Sequence, residues 1–277
     1  MKTVKYALVA MLMAIICLSG CQSSPGPGKQ VWVSDGFEKS IVEGYWLYLP
    51  QGYTEGKQYP VILFLAGAAG ASTHRYEDAK VEGPAKFAMN PEWVDDAGLR
   101  SVLQDSVIIV NPHMRFGAIE KRAWAQYPKS LSAIVDSVVS AYQGDASRVY
   151  VTGLSKGGQG CWDLVKKLPQ TFAAVAPVAG RITCTAKSLP TLSGIPMWLV
   201  HNEGDQAVPY AEYTKKAVER MEEEGYPFFH LNTVEPNAAQ VLPEKRIVSV
   251  LPQKGHTGWD ETYSSPAFYS WLLAQQN

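Results

Sequence analysis

A serine stands in a setting that is typical of a nucleophile. Gly153–Gly157 reads Gly-Leu-Ser-Lys-Gly, a G-x-S-x-G motif. It follows a predicted strand, Val149–Thr152, and precedes a segment with helical periodicity, Gly160–Lys167. A catalytic serine must leave a sheet on a sharp strand-to-helix turn, and glycines flank it because a Cβ there would collide with the neighbouring strand and helix. The motif therefore predicts that Ser155 is a nucleophile.

Serine attacks efficiently only when a base takes its proton, and histidine is the usual base. Where G-x-S-x-G forms such a turn, the serine is followed along the chain by an acid and then by the histidine. His256 lies after a late predicted strand, Ile247–Leu251, and fits this order. The other histidines fit less well and are expected to pack in the core, to lie at the surface or to line the pocket: His74, His113, His201 and His230.

The third member of such a triad is an acid that orients the imidazole and stabilises its charged form. It is expected after the predicted strand Pro196–Val200, where two carboxylates occur, Glu203 and Asp205. Asp205 lies beyond a glycine and shortly before Val208–Pro209, which opens the next helix. This position favours Asp205 as the acid and leaves Glu203 as a surface or pocket residue.

An oxyanion hole requires two backbone N–H donors near the nucleophile. One is expected from Lys156, the residue after the serine. The other should come from the loop after the apolar strand Val61–Leu65, which reads Ala-Gly-Ala-Ala-Gly. Small residues allow this backbone to approach a tetrahedral intermediate closely. Ala68 is the expected donor, and Gly67 is a near alternative.

Apolar runs alternate with amphipathic segments over most of the chain. Strands are predicted at Gly44–Pro50, Val61–Leu65, Ser106–Val110, Val149–Thr152, Ala173–Val178, Pro196–Val200 and Ile247–Leu251. Helices are predicted at Leu131–Tyr142, Gly160–Lys167, Tyr210–Glu224 and Pro266–Ala274. This alternation predicts an α/β fold with a mostly parallel central sheet and helices on both faces. Because no composition break or repeat appears, residues 31–277 are expected to form a single domain. Asn111–Pro112, which follows the predicted strand Ser106–Val110, is expected to be a turn.

The N-terminal segment is typical of a secretory signal. Lys2 and Lys5 precede a short apolar run, Ala7–Leu18, and small residues then lead to Cys21. This pattern resembles the bacterial lipobox, in which the cysteine is lipid-modified and becomes the first mature residue. Residues 1–20 are therefore expected to be a lipoprotein signal peptide, and residues 21–30 a lipidated cysteine with a flexible tether. We therefore expect the protein to be lipid-anchored in the cell envelope of a bacterium, at the outer membrane or in the periplasm.

Composition excludes several classes of protein. The chain has 277 residues, of which 46% are hydrophobic and 18% charged, with a formal net charge of −1. These values exclude a disordered chain, and a charge near zero without a basic block argues against nucleic acid as a partner. The near-neutral charge favours a largely neutral substrate recognised by shape and stacking. Oligomeric state is not indicated.

The remaining cysteines allow two readings, and a metal site is not expected. Beyond the cytoplasm, Cys161 and Cys184 could form a disulfide or remain as two buried thiols. Neither CxxC nor HxxxH occurs, so that no zinc site is predicted.

Aromatic residues in two long loops could stack on a sugar or phenolic ring. Residues 69–100 and 114–126 are insert-like, and loops that follow strand ends of an open α/β sheet are where ligands usually bind. Trp124, in the second loop, and Trp259, near the predicted base His256, are the predicted substrate contacts. The others considered are Tyr76, Trp93 and Phe116.

Taken together, the motifs resemble those of the α/β-hydrolases, in the esterase group that contains polyhydroxybutyrate-depolymerase-like, feruloyl and acetylxylan esterases and predicted secreted peptidases. The resemblance runs from about Tyr45 to Leu273. It is carried by LYLPQGY…YPVILFLAG, GLSKGGQGCWDLVKKLPQTFAAVAPVAGR, PMWLVHNEGDQAVPY and GHTGWDETYSSPAFYSWLL. It implies Ser155, Asp205 and His256 as a triad, an acyl-enzyme mechanism without a cofactor, and secretion.

One position departs from these relatives, which usually carry His-Gly at the end of the strand before the oxyanion loop. This sequence has Ala66–Gly67 followed by small residues. In the relatives the histidine braces the loop rather than reacting, so its loss leaves the chemistry intact and puts the oxyanion geometry and substrate preference in question.

Three functions are consistent with the sequence. The first is a serine carboxylesterase that acts on a small-molecule or polysaccharide-linked ester, such as an acyl or feruloyl ester. The second is a serine peptidase that uses the same triad, which is disfavoured because nothing in the sequence resembles a propeller domain that gates peptides. The third is a non-catalytic surface lipoprotein that binds glycans. A matched set of three triad residues argues against the third.

Overall fold

A computed structural model describes residues 26–34, 36–37, 40–71, 82–121 and 123–277. The predicted signal peptide, Cys21, His74 and Tyr76 lie outside these ranges, so the expectations for them stay predictions. Within the described ranges, no helix is both long and apolar enough to cross a bilayer.

In the part of the chain that the structure describes, nine strands form one sheet in the order β1-β2-β4-β3-β5-β6-β7-β9-β8. β1 and β2 are antiparallel to their neighbours, and all other pairs are parallel. This arrangement confirms the predicted α/β class with a mostly parallel sheet. The strands are β1 Gln30–Val33, β2 Val42–Tyr48, β3 Tyr59–Leu65, β4 Ile108–Met114, β5 Gly144–Leu154, β6 Ala174–Val178, β7 Met197–Gly204, β8 Phe229–Leu231 and β9 Arg246–Lys254.

Helices of very different length connect these strands. They are α1 Ala68–Ala71, α2 Pro84–Met89, α3 Ala97–Asp105, α4 Ala118–Lys121, α5 Pro128–Ala141, α6 Lys156–Val165, α7 Leu189–Leu192, α8 Thr214–Glu223, α9 Ala238–Val241, α10 Trp259–Tyr263 and α11 Pro266–Ala274. Short 3-10 turns occur at Pro91–Trp93 and Trp124–Gln126.

The centre of the sheet is covered on both faces. All seven residues of β3 are buried, although successive side chains of a strand point to opposite faces. A strand that is buried on both faces reads as a continuous apolar run, and this is how its sequence reads. The carboxyl ends of β3, β5, β7 and β9 therefore meet at one edge of a rigid sheet, where the loops that follow them come together.

Two details differ from the sequence expectation. Asn111–Pro112 is not a turn, because β4 continues through it to Met114 and pairs with β2. β4 pairs with β3 only from Ile108 to Val110, and beyond that point no strand of the described residues lies along that edge, where a proline is tolerated. The edge strands β1 and β8 were not expected, because each is only three or four residues long and is not fully buried.

The two candidate disulfide cysteines are free thiols. Cys161 is buried on α6, and Cys184 is partly buried. Burial raises the pKa of the Cys161 thiol well above its usual value, which keeps it protonated. The sequence left a disulfide and two free thiols as alternatives, and in the structure Cys161 and Cys184 are two free thiols.

Candidate active site

Ser155 occupies the turn between β5 and α6. Its φ of 53° lies in the left-handed region, which side-chain-bearing residues rarely adopt. A hydrogen bond of 2.9 Å from its backbone N–H to the carbonyl oxygen of Val178, on the neighbouring strand, helps to hold this conformation. Strained residues of this kind cluster at functional sites, and the turn lifts the serine above the strand ends.

Glycines make the turn possible. A Cβ at Gly153 or at Gly157 would collide with the carbonyl oxygen of Leu65 on β3. At Gly158 a Cβ would lie 2.6 Å from the carbonyl oxygen of Val178. Because these contacts involve backbone atoms of central strands, nothing nearby can move aside, and α6 packs against the sheet only with glycine at these positions.

His256 forms hydrogen bonds to both other members of the expected triad. Its Nε2 lies 2.7 Å from Ser155 Oγ, and its Nδ1 lies 2.6 Å from Asp205 Oδ2. A carboxylate only accepts, so Nδ1 carries the proton and Nε2 is free to accept the proton of the serine. The acid side chain is fully buried, while that of His256 is 23% exposed. The base therefore reaches the solvent side of the site and the acid is shielded behind it.

Asp205 is oriented by its own loop. Its Oδ1 accepts the backbone N–H groups of Ala207 and Val208, each at 2.9 Å, which leaves Oδ2 for the imidazole. Glu203, the alternative acid, is exposed on β7, and no hydrogen bond joins it to His256. The geometry therefore favours Asp205, as the sequence did.

His201 lies behind this loop, where it packs as the sequence suggested and also supports the acid. Its Nε2 donates to the carbonyl oxygen of Val208 at 2.7 Å and lies 3.4 Å from Asp205 Oδ2, while Thr214 Oγ1 lies 2.7 Å from its Nδ1. Because a carbonyl only accepts, the proton is on Nε2, and the threonine hydroxyl donates to Nδ1 of a neutral ring. Burial lowers the pKa of His201, which favours this neutral form.

Asn202 secures the loop that carries the base. Its Nδ2 donates to the carbonyl oxygen of Gly255 at 3.0 Å and to Thr257 Oγ1 at 2.8 Å, on either side of His256. Asn202 was not predicted as a functional residue from the sequence. The available signal was its place next to His201 at the end of β7, in the same loop region as the acid.

Lys156 and Ala68, the two predicted oxyanion donors, each begin a helix beside Ser155. Both amides therefore belong to the first turn of a helix, whose N–H groups point away from the helix and towards the space in front of its first residue. Gly67 also lies close to the serine, but its N–H donates to the Glu82 carboxylate. Of the two alternatives for the second donor, the geometry favours Ala68.

Glu82 is a second residue at the site that was not predicted from the sequence. Its carboxylate packs directly against Gly70, accepts the N–H of Gly67 and has one oxygen, Oε2, without a hydrogen-bond partner among the described residues. Burial raises the pKa of Glu82, and nearby Asp260 raises it further. No local sequence pattern distinguishes this glutamate from a surface residue.

Trp124 does not lie where a substrate could stack on it, contrary to the expectation. Its side chain is 0% exposed, and its Nε1–H donates to the carbonyl oxygen of Ala66 at 3.0 Å. A Cβ at Gly160 of α6 would lie 2.7 Å from Trp124 Cβ, so the tryptophan fills the space between α6 and the oxyanion loop. Trp124 opens the 3-10 turn 124–126, and its side chain points into the protein. The indole therefore supports the oxyanion loop from inside the protein.

Two cavities open on either side of Ser155 and His256. The first, the Glu82 cavity, has a volume of about 340 Å³, and the second, the Arg181 cavity, about 270 Å³. Other residues around the Glu82 cavity are Gly67, Ala68, Ala69, Gly83, Lys86, Leu154, Trp259 and Asp260. Other residues around the Arg181 cavity are Ala68, Lys156, Gln159, Ala207 and Val208. Each cavity could hold one half of a substrate whose reactive carbon lies at the serine.

Of the aromatic residues predicted to contact substrate, Trp259 lies in the site. Its ring stands edge-on to that of His256, with centroids 5.5 Å apart, and it lines the Glu82 cavity. Trp93 and Phe116 are 53% and 55% exposed and line neither of these two cavities. The described residues contain no group of three or more His, Cys, Asp or Glu side chains that could hold a metal ion.

Comparison with known proteins relates the chain to esterases. It is 25% identical over 179 residues to a probable feruloyl esterase C of Aspergillus terreus, a match that covers 63% of this chain and 60% of that protein. It is 31% identical over 78 residues to the putative esterase NocK of Nocardia uniformis subsp. tsuyamanensis, covering 28% of this chain and 23% of that protein. The chain thus matches less than two thirds of the length of either relative. No family model matches the sequence.

Solved structures of esterases have a similar fold. A thermostable esterase aligns with a TM-score of 0.66 and 21% identity, over 90% of this chain and 63% of that one. A mutant of the feruloyl esterase module from Clostridium thermocellum, complexed with sinapinate, aligns with a TM-score of 0.59 and 15% identity, over 91% and 90% of the two chains. At such identities the likeness concerns the fold, and it confirms the fold that the sequence motifs implied.

Proposed function

We propose that this chain, which has the α/β-hydrolase fold of its esterase relatives, is a serine hydrolase that cleaves carboxylic esters through an acyl-enzyme. The observation that carries the proposal is the pair of hydrogen bonds that joins Ser155 Oγ to His256 and His256 to Asp205, at 2.7 and 2.6 Å. A serine is activated in this way only where a base lies within hydrogen-bond reach and is itself oriented by an acid.

Acylation uses the three side chains in order. Ser155 Oγ attacks the ester carbonyl carbon while His256 Nε2 takes the hydroxyl proton, and the carbonyl oxygen becomes an oxyanion. The N–H groups of Lys156 and Ala68 donate to that oxyanion. The tetrahedral intermediate then collapses as His256 gives its proton to the leaving alcohol oxygen, and the acyl group remains on the serine.

Deacylation repeats these steps with water in place of serine. His256 Nε2 takes a proton from water, whose oxygen attacks the acyl carbon, and then returns the proton to Ser155 Oγ as the acid is released. Asp205 accepts from Nδ1 throughout and stabilises the imidazolium in both halves of the reaction. These steps use the chain's own residues and water alone.

The natural substrate is proposed to be an acyl or feruloyl ester on polysaccharide or a related small molecule. The feruloyl esterases among its relatives and structural neighbours support this class, as does a further structural neighbour, an acetyl xylan esterase from Aspergillus awamori. Trp259 supports it as well, because an aromatic ring beside the base offers a surface on which a sugar or phenolic ring can stack.

A panel of esters tests the proposal. Wild type and Ser155→Ala are assayed on p-nitrophenyl acetate, p-nitrophenyl butyrate and methyl ferulate, and a peptide p-nitroanilide is included. We expect the wild type to turn over esters with a burst of p-nitrophenol that equals the enzyme concentration, and the variant to have lost about 10³-fold or more in kcat. Hydrolysis of the anilide but no ester would favour a peptidase. Glycan binding without any turnover would favour a binding protein.

A lipid anchor at Cys21 and a place in the bacterial cell envelope complete the proposal. The support is the sequence pattern of residues 1–21 alone. Mass spectrometry of the membrane fraction should find a diacylglyceryl adduct at the N-terminus of a chain that begins at residue 21, and Cys21→Ala should lack it. An unlipidated chain in the wild type, or an adduct that survives in the variant, would contradict this part of the proposal.

A further inference from the structure

The two cavities beside Ser155 differ in their charged groups. The Glu82 cavity is lined by two carboxyl groups, Glu82 and Asp260, and by one lysine, Lys86, whose Nζ lies 2.7 Å from Asp260 Oδ2. The Arg181 cavity is lined by no carboxyl group from the described residues. Because the lysine of the Glu82 cavity is already paired with Asp260, an anionic group on a substrate gains less from that cavity than from one with an unpaired cation.

Arg181 has no ion-pair partner within the described part of the chain. Its guanidinium lies over the ring of Tyr213, with 5.8 Å between Cζ and the ring centroid. This packing leaves the edge of the guanidinium, which carries its N–H donors, free to bind a ligand. An arginine that is held by an aromatic ring and not by a carboxylate is well placed to bind an anion.

Gln159 lines the same cavity and also has a free head group. It lies one turn along α6 from Ser155, and its side-chain amide makes no hydrogen bond to the described residues, although its backbone N–H donates to the carbonyl oxygen of Ser155 at 3.0 Å. The remaining cation, Lys156, is used differently, because its Nζ donates to the carbonyl oxygen of Ile119 at 2.8 Å. Arg181 and Gln159 together provide donors that nothing in the described chain occupies.

We propose that the Arg181 cavity binds a carboxylate carried by one half of the ester substrate, with Arg181 as its main partner and Gln159 as a second donor. A guanidinium matches a carboxylate in charge and in planar geometry, since two parallel N–H groups meet two oxygens. A volume of about 270 Å³ is sufficient for a carboxylate and a short carbon chain that leads to the serine. This inference rests on the proposed esterase function and names its substrate class.

It also revises the expectation drawn from composition. A net charge of −1 favoured a neutral substrate, but the net charge of the chain does not report how charged groups are distributed around Ser155. With carboxyl groups on one side of Ser155 and Arg181 on the other, an ester with a single carboxylate binds in one orientation and a neutral ester in either.

Matched pairs of esters test this inference. Each pair differs only in a terminal carboxylate or carboxamide. The first pair carries it on the acyl half (p-nitrophenyl hydrogen glutarate and p-nitrophenyl glutaramate), the second on the alcohol half (p-carboxyphenyl and p-carbamoylphenyl butyrate). In one of the two pairs, the kcat/KM of the wild type should be about tenfold higher for the carboxylate ester than for its carboxamide at low salt. Because Arg181 is exposed, the preference should shrink in 0.5 M NaCl.

Variants assign the preference to the cavity. Arg181→Gln should abolish it, mainly through a KM that rises more for the carboxylate ester than for its matched carboxamide. Lys187→Gln removes an exposed positive charge that lines neither cavity and should retain the preference. A preference lost equally in both variants would point to the overall charge of the protein and overturn the inference.

Two further outcomes separate this inference from the proposed function. Ser155-dependent hydrolysis of p-nitrophenyl butyrate, with no carboxylate preference in either pair, would overturn the inference and leave the esterase function standing. If no ester is hydrolysed, calorimetric binding of the four compounds to Ser155→Ala replaces kinetics as the test. Equal affinity within both pairs would then overturn the inference, and tighter binding of one carboxylate that Arg181→Gln removes would support it.

Discussion

The indole N–H of Trp124 donates to the carbonyl oxygen of Ala66 at 3.0 Å, inside the protein and directly beneath the proposed oxyanion loop. The next residue of that loop, Gly67, donates its own N–H to the Glu82 carboxylate. Two side chains from outside the loop thus fix consecutive peptide groups just before Ala68. They hold the strand end at Ala66, so the loop is braced although no histidine stands at that position.

Trp124→Phe removes the hydrogen bond and keeps most of the ring volume. The carbonyl oxygen of Ala66 then remains buried without its donor, which should lower the free energy of unfolding by about 1–3 kcal/mol. The looser loop should lower kcat for p-nitrophenyl butyrate about tenfold and change KM less, because an oxyanion hole acts on the transition state. Urea denaturation and steady-state kinetics measure the two effects.

Trp271→Phe is the matched control for that prediction. Trp271 is equally buried, and its Nε1–H donates to the carbonyl oxygen of Glu244 at 2.7 Å, on a helix that does not contribute to the site. It should lose stability to a similar degree with little change in kcat. If both variants lost kcat equally, the role of Trp124 in positioning the loop would be refuted.

Glu82→Gln isolates the charge of the second brace, because the amide oxygen can still accept from Gly67. Burial raises the pKa of Glu82 above its ordinary value of 4.5, with Asp260 acting in the same direction, while the Gly67 N–H and Lys86 oppose the shift. Protonation is therefore favoured in the folded state. The stability that Glu82 contributes is complete below pH 4.5 and is lost as the pH rises through the raised pKa.

The expected result follows from this sign. The free energy of unfolding of Glu82→Gln minus that of the wild type should increase from pH 4 to pH 8. Urea denaturation at both pH values measures this difference. Groups that do not interact with Glu82 titrate alike in the two proteins, so their contributions cancel in the difference. A difference that stays constant over this range would show that the Glu82 carboxyl has the same pKa in the folded and unfolded chains.

Asp205→Asn and Glu203→Gln separate the two candidate acids. The asparagine can still accept from Ala207 and Val208 through Oδ1, but it cannot stabilise the imidazolium of His256, and kcat should fall by about 10⁴-fold. Glu203→Gln should stay within about twofold of wild type, because that side chain is exposed and makes no contact with the base. The comparison is made on one ester at a single pH, and the reverse pattern of losses would assign the acid to Glu203.

Ser155, Asp205 and His256 could be predicted from the sequence for a physical reason. A G-x-S-x-G turn imposes glycines at Gly153 and Gly157 through backbone collisions with β3, so its signature is local. The strand ends at which Asp205 and His256 stand are marked by apolar runs, which local patterning also reveals. The structure brings these residues together as that reasoning expected.

The supporting residues could not be found in this way, because their roles depend on tertiary burial. Trp124 lies in a segment with charged and small residues, which indicated an exposed loop, and only packing against α6 shows it to be internal. Glu82 looks like a surface glutamate until Gly67 and Gly70 are placed against its carboxylate. Loop position was therefore predictable from the sequence, and the direction of these side chains was not.

His201 provides the last prediction, which concerns pH and stability. Burial lowers its pKa from 6.5, and nearby His256 acts in the same direction, whereas Asp205 and the Val208 carbonyl oxygen oppose the shift. The stability that His201 contributes is complete above pH 6.5, the unfolded value, and is lost as the pH falls through the lowered folded value, because the unfolded chain binds the proton first. The wild type should therefore be less stable at pH 5.5 than at pH 7.5 through this group.

His201→Gln removes the titration and keeps a donor for the Val208 carbonyl oxygen. The variant should be less stable than the wild type at pH 7.5, and the gap should narrow at pH 5.5. Its kcat should fall severalfold even at pH 7.5, because the Asp205 loop loses a rigid support, and KM should change little. Urea denaturation at both pH values measures the gap, and steady-state kinetics measures kcat. A gap that widens towards low pH would mean that His201 becomes protonated in the folded protein and pairs with Asp205, 3.4 Å away.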